Sequence, residues 1–408
     1  MRPGSQALVW LTALWAVGTA HADDAGRAPG PFFPVPLIDA DPNSGLTLGL
    51  IPTWLHTDAD DQIQKIVAPD FNYNADFGFG AHARVISYPS EDTQWSIVAG
   101  GQERVERLAD YEYQTGRLRD SRWSFDSSAV YDRDGSPRFY GIGDQSRLSR
   151  ETGYTEQQSF LRGTLGLNIS HAWQLAYTLR IRDIDILPGS VQGIPTIGSR
   201  FGGIPGLGSQ SEILHRVEVH YDTRDDPTMP RHGSAWSVYG GVATAAGTPN
   251  AALYSAVGFD IRQLWSPPDS SATFVGHIAA RYMPGPREVP FWSLSAIGGD
   301  QSVLGESLPL RAYGSGRFTD RNAFATNLEY RQQVIALDAV STHIEIELTP
   351  FIDLGEVSLH SRSSPFHDMH RVAGLGLRGV ARPSVVGYLD IGYGSEGAAA
   401  FTGINYPF

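Results

Sequence analysis

The chain has 408 residues, a formal net charge of −13, 45 glycines, 18 phenylalanines, 17 tyrosines, nine tryptophans and no cysteine. The acidic balance, spread along the chain, argues against a nucleic-acid partner. The lack of cysteine excludes a disulfide framework and a lipid-modified cysteine behind a leader.

In chain order, residues 1–22 have the form of a signal peptide: Arg2, an apolar stretch from Ala7 to Thr19, and Ala20-His21-Ala22 as a small-x-small cleavage site. Beyond it no stretch approaches the roughly 18 unbroken apolar residues of a spanning helix. Residues 23–43 carry Pro29, Pro31, Pro34, Pro36 and Pro42, and are fewer than the roughly 40 needed to fold alone, so they read as a short periplasmic tail. Residues 44–408 read as one β-barrel domain. Sixteen runs there alternate apolar and polar residues between turn signals: 45–56, 62–73, 76–88, 93–115, 119–132, 155–169, 172–184, 212–223, 233–245, 250–265, 272–283, 322–335, 343–358, 369–381, 384–394 and 399–408. The predicted fold is all-β, a sixteen-stranded antiparallel transmembrane barrel of the outer-membrane type, with membrane lipid as its immediate surroundings.

The connections test this prediction independently. In such barrels loops at the outer end are long and periplasmic turns are short. With both termini periplasmic, odd-numbered connections face outward, and the three longest are the fifth (133–154), seventh (185–211) and eleventh (284–321). Even ones are tight: Asn74-Ala75, Ser170-His171, Pro267-Pro268-Asp269 and Ala381-Arg382-Pro383-Ser384. A soluble sandwich has no reason to sort loop length by parity.

Period-two alternation assigns faces. In His343 to Leu348, Ile344, Ile346 and Leu348 share one face, and His343, Glu345 and Glu347 the other. Carboxylates are costly in hydrocarbon, so the polar face looks into a wet lumen, where the same parity puts Asp353 and Asp390. Enzyme signals fail. Gly374 to Gly379 fits a dinucleotide-type glycine pattern but lies in an alternating strand with no helix behind it. Its glycines make room for something approaching from inside. Asp58, Asp60 and Asp61 lack the glycine and distal glutamate of a calcium loop, and no GxSxG elbow occurs. No catalytic residue, cofactor or metal site is expected.

The eleventh connection holds a glycine pair (Gly298, Gly299), then Leu310-Arg311-Ala312-Tyr313 and Gly316-Arg317-Phe318. Long connections of this kind inside a compact fold are usually functional. Upstream stands Asp222-Thr223-Arg224-Asp225-Asp226-Pro227, with Pro230 and Gly233. The chain ends Phe401-Thr402-Gly403-Ile404-Asn405-Tyr406-Pro407-Phe408. In this order the three features resemble the BamA/TamA family of outer-membrane assembly and translocation barrels and its two-partner secretion relatives. Ala312 stands where the family's loop tip has glycine, and Phe401 where a polar residue is usual.

The resemblance implies that the eleventh connection folds back into the barrel as a plug whose arginine, Arg311, pairs with lumen carboxylates. Glu345, Glu347, Asp353 and Asp390 are the candidates that parity offers. It also implies that Gly403, Tyr406 and Phe408 belong to a C-terminal insertion signal, with Ile404, Tyr406 and Phe408 alternating outward. The implied role is insertion or translocation of proteins at the outer membrane of a Gram-negative bacterium, with the assembly machinery as partner. Family members usually carry periplasmic transport-associated domains. Residues 23–43 cannot form one, so substrate capture would come from a periplasmic partner protein or be absent. The alternative is a passive channel or structural barrel.

Overall fold

A computed structural model describes residues 32–58, 63–247, 252–285, 288–339, 342–359, 369–381, 385–404 and 406–408. The signal peptide, the first part of the tail, most of the acidic Asp58 to Asp61 loop and the turn 382–384 lie outside the described residues. Among the described residues no helix is long and apolar enough to cross a membrane, and the chain builds one closed antiparallel sheet.

The wall has eighteen strands, not sixteen. They are β1 (Phe32–Asp41), β2 (Gly45–Thr57), β3 (Ile63–Val67 and Asp70–Asn74), β4 (Gly78–Ser90), β5 (Thr93–Gln102), β6 (Arg107–Thr115), β7 (Trp123–Asp134), β8 (Thr152–Asn168) and β9 (Trp173–Pro188). Then follow β10 (Gly208–Asp222), β11 (Gly233–Gly247), β12 (Ala252–Trp265), β13 (Ala272–Tyr282), β14 (Asn322–Ala339), β15 (Thr342–Ser358), β16 (His370–Ala381), β17 (Val385–Gly394) and β18 (Gly397–Ile404). Each pairs with its neighbour, and β18 returns to β1, with Ala400 opposite Ala40.

Two expectations are corrected. The supposed tail supplies a wall strand, so the barrel begins at Phe32 rather than at residue 44. β1 pairs with β2 from Phe32↔Trp54 to Asp41↔Gly45, through a turn in which Asp41 Oδ1 accepts the Asn43 amide at 2.6 Å. Proline is confined to edge strands and strand ends, and β1 is the strand at the seam, which is where Pro34 and Pro36 can stand. The second correction is the run 93–115, which is two strands folded at Glu103 to Glu106. That turn places Val105 at φ 57, a left-handed conformation uncommon for a β-branched residue. It contains no Gly, Pro, Asn or Asp, the residues that mark a turn in sequence.

The two extra strands cancel in parity beyond residue 115, so the three long connections still share one end, hereafter the outer end. Gly143 N donates to Thr319 O (2.9 Å), Gly153 N to Pro195 O (2.9 Å) and Phe291 N to Pro205 O (2.9 Å). Before residue 115 parity flips. The Asn74-Ala75 turn therefore lies at the outer end beside the 103–106 turn, where Arg104 N donates to Phe77 O at 3.0 Å.

Outward side chains are apolar: Leu328 is 58% exposed, Ile352 51% and Ile391 50%, while their sequence neighbours Glu329, Asp353 and Asp390 are almost wholly buried. Near the inner end, rings run across strands, with Trp173–Tyr221 at 4.7 Å, Tyr221–Trp236 at 5.1 Å and Phe274–Tyr330 at 5.0 Å. This is an aromatic belt at one membrane interface. At the outer end Phe139, Phe201, Tyr154 and Phe291, from three connections and β8, interlock at centroid distances of 4.9 to 5.3 Å.

Candidate functional site: a lumenal arginine cluster under the plug

The connection 283–321 enters the lumen. Its three short strands, Ser295–Ile297, Ser307–Leu308 and Phe318–Asp320, form a small sheet. Ile297, Leu310 and Phe318 bury against Phe351, Val357 and Val372 of the wall. The glycine pair allows the fold. Gly298 has φ 126, and a Cβ there would collide with the Gly314 carbonyl. Gly299 N donates to Tyr313 O at 2.8 Å, and Leu310 N to Gly299 O at 2.9 Å, so the pair holds both sides of the Arg311 turn.

Arg311 is fully buried. Its Nε donates to Asp353 Oδ2 (2.9 Å) and its Nη2 to Asp353 Oδ1 (2.7 Å), a two-pronged pairing, and its backbone amide adds a third bond to Oδ2 at 3.0 Å. Nη1 reaches Glu329 Oε1 (2.5 Å) and Asp390 Oδ2 (3.1 Å). The guanidinium carbon lies 3.7 Å from the Phe351 ring centroid and 5.1 Å from that of Phe408. Two further arginines close the cluster. Arg331 Nε donates to Glu329 Oε2 at 2.8 Å; Arg378 Nη2 donates to Asp390 Oδ2 at 3.0 Å and to Glu329 Oε1 at 3.4 Å. Three cations thus face three carboxylates. Buried ions persist when they are paired and hydrogen-bonded.

The wall is shaped to receive the loop. A Cβ on Gly392 would overlap the Arg311 carbonyl, and one on Gly394 would crowd the Tyr313 hydroxyl. That hydroxyl accepts the Ser395 amide at 3.1 Å and bonds Ser395 Oγ at 2.9 Å. Arg317 Nε donates to Glu396 Oε2 at 2.8 Å, so the plug also grips the β17–β18 turn. Gly374 and Gly376, expected to make room for something approaching from inside, make room for wall side chains, the Phe351 ring and Asp390 with Arg378.

Of the four carboxylates that parity offered, Asp353 and Asp390 meet Arg311. Glu347 does not; it accepts the Tyr406 hydroxyl at 3.0 Å, and Glu345 is buried lower in the same strand. Parity fixes the face but not the height: the six-residue step from Glu347 to Asp353 amounts to about 20 Å along a strand. Glu329, Arg331 and Arg378 were missed, although Leu328, Tyr330 and Leu377 on the opposite parity mark all three as inward.

The C-terminal expectation is corrected. β18 ends at Ile404, and Tyr406 and Phe408 turn into the lumen rather than outward. Phe408 is 8% exposed and stacks on His277, centroids 4.8 Å apart, while Tyr406 lies against Arg331 at 3.7 Å. Gly403 leaves the space that the lumenal Tyr388 ring fills. Two aromatic side chains meeting buried guanidinium groups gain more inside than in lipid.

Fold and site together define a class: a closed membrane-type β-barrel filled by one of its own connections, pinned through a buried arginine. The Omp85 superfamily domain matches residues 94–385, and the chain belongs to that superfamily. No curated relative matches by sequence. Among solved structures it is similar to BamA from Haemophilus ducreyi lacking POTRA domains 1–3, with TM-score 0.51 and 12% identity, over 91% of this chain and 75% of that one. CdiB from Acinetobacter baumannii aligns with TM-score 0.46 and 11% identity, over 92% of this chain and 59% of that one. CdiB from Escherichia coli gives 0.47 and 12%, over 93% and 62%. The chain thus spans about three-quarters of the BamA chain and about three-fifths of each CdiB chain. Family and fold point to a bacterial outer membrane.

Proposed function

We propose that the chain assists insertion or translocation of proteins at the outer membrane of a Gram-negative bacterium, through a wall that opens between β1 and β18. It works without covalent catalysis or a cofactor, alongside the outer-membrane assembly machinery and a periplasmic partner protein. The observation that carries this reading is the seam. Among the described residues β1 and β18 share one register pair, Ala40↔Ala400, whereas β17 and β18 pair through eight, from Gly387↔Ile404 to Gly394↔Gly397. Below the pair the chain after β18 leaves the wall, and Pro34 and Pro36 remove two amide donors from β1. An unpaired strand edge of this kind is a template for an incoming strand.

The cysteine-free chain permits a clean test. Antiparallel partners have Cα atoms about 4.5 to 5.5 Å apart, within disulfide range. Ala40→Cys with Ala400→Cys, oxidised, is expected to abolish client assembly in a deletion strain and to recover it on reduction. Full activity of the oxidised form would refute the opening wall. Large steady pores in planar bilayers together with unaltered outer-membrane protein content in the deletion strain would favour a passive channel.

A further inference from the structure

A cavity of about 220 Å³ lies in the lumen between the plug and the wall from β8 to β13. Small residues on β11 and β12, Gly241, Ala243 and Ala256, leave the space. Three of the arginines that line it hold carboxylates: Arg180 and Arg182 meet Glu212 at 3.0 and 3.3 Å, and Arg216 meets Glu218 at 2.7 Å. Arg281 differs. It is 9% exposed, and among the described residues it forms no ion pair and one hydrogen bond, from Nη1 to Leu294 O at 3.1 Å. Its Nε is buried without a partner. A buried charge is costly unless paired, so a guanidinium left over at a cavity is a place for an anion.

Strand register completes the site. Tyr239, Gly258 and Arg281 stand in one row across β11, β12 and β13. Gly258 has no side chain, and the Tyr239 hydroxyl lies where a Cβ would crowd it. The hydroxyl is thereby brought to within about one strand spacing, about 5 Å, of the Arg281 backbone. Arg216 faces the same ring, its guanidinium carbon 5.6 Å from the centroid. Elsewhere the lining carries Asp41 of β1 and Glu156 of β8. An apolar body would cut these carboxylates off from water, whereas hydroxyl groups can donate to them.

We propose that the cavity binds a small phosphorylated sugar as a free solute, its phosphate on Arg281, Arg216 and Tyr239 and its hydroxyls toward Asp41 and Glu156. A guanidinium matches a phosphate through two parallel hydrogen bonds. The volume, about seven waters at roughly 30 Å³ each, holds a monosaccharide phosphate but not an acyl chain as well. The phosphate end stands on β10, β11 and β13, away from the β1–β18 seam. The two readings fail separately, because the cysteine lock is read on client assembly and this site on ligand binding.

The test uses the full chain in detergent, isothermal titration calorimetry and glucose 1-phosphate as probe, at constant ionic strength because salt screens charge pairing. Saturable binding is expected, at least about tenfold tighter than that of inorganic phosphate or glucose, and weakened at least about tenfold by Arg281→Gln. Tyr239→Phe, which keeps the ring, is expected to weaken it about fivefold. No binding, or equal binding by an Arg281→Gln chain that keeps its heat-modifiable migration, would overturn the proposal. Inorganic phosphate bound as tightly would overturn the sugar, and displacement by monophosphoryl lipid A would overturn the free solute. A second measurement needs no substitution. A ligand that binds only the folded chain raises its unfolding midpoint. Millimolar glucose 1-phosphate is expected to raise that of the unsubstituted chain and glucose is not; equal midpoints would count against the site.

Discussion

Arg311 divides one guanidinium among Asp353 of β15, Glu329 of β14 and Asp390 of β17, so a single side chain ties three strands to the plug. Arg311→Ala leaves three buried carboxylates facing two arginines. Breaking a buried pair in this way costs about 3–5 kcal/mol, to be read from denaturant unfolding in detergent micelles. Arg311→Lys is expected to recover little of it, because a compact ammonium cannot reproduce the two-pronged bond to Asp353 or lie flat on Phe351. Asp300, also on the plug, gives a pH dependence. Burial raises its carboxyl from an ordinary value near 3.8 to about 6, and the hydrogen bond from the Tyr388 hydroxyl offsets only part of this. A raised carboxyl pKa stabilises the fold below about 4, and that contribution is lost as pH rises through about 6, to the extent of roughly 3 kcal/mol. Unfolding measured across this window is expected to show the slope in the wild-type chain and a shallower one in Asp300→Asn. A flat wild-type profile would show that Asp300 does not titrate there.

The plug and its berth are built at the level of elements. The backbone of Arg311 reaches the wall only because β17 carries glycine at 392. A methyl group at Gly392 meets backbone rather than a movable side chain, so Gly392→Ala is expected to push the loop off the wall while leaving strand content unchanged. Faster protease cleavage within 283–321 at unaltered circular dichroism is the expected result, and wild-type cleavage rates would contradict it. The sequence marked this connection as unusual by its length and its glycine pair. It did not show which glycines of the wall served it: Gly374 and Gly376 stood out by pattern, yet their space goes to wall side chains. Which cross-strand neighbour borrows the space above a glycine depends on register, which has no local signature.

For the whole molecule the decisive strand is β1. Among the described residues its ten register pairs with β2 and one pair with β18 close the cylinder, so a chain lacking Phe32–Asp41 exposes the β2 edge. Such a deletion is expected to lose the heat-modifiable folded band on semi-native gels, whereas a true tail could be removed without effect. The plug contacts at Ser395 and Glu396 hold the other flank of the seam, the β17–β18 hairpin. Plug seating and seam integrity are therefore mechanically joined through Tyr313 and Arg317.

Periodicity and loop length by themselves determined that the chain is an antiparallel membrane barrel and which side chains face its lumen, while the inward folding of the Arg311 connection was implied by the family resemblance. These are local properties: alternation repeats every two residues, and a long connection is visible wherever it occurs. Closure, height and the path after β18 were decided only in three dimensions. A proline-rich stretch becomes a strand when β2 lies beside it, a turn forms at Val105 when its flanks are already paired, and Phe408 turns inward because His277 and Arg311, far away in sequence, offer its ring more than lipid does.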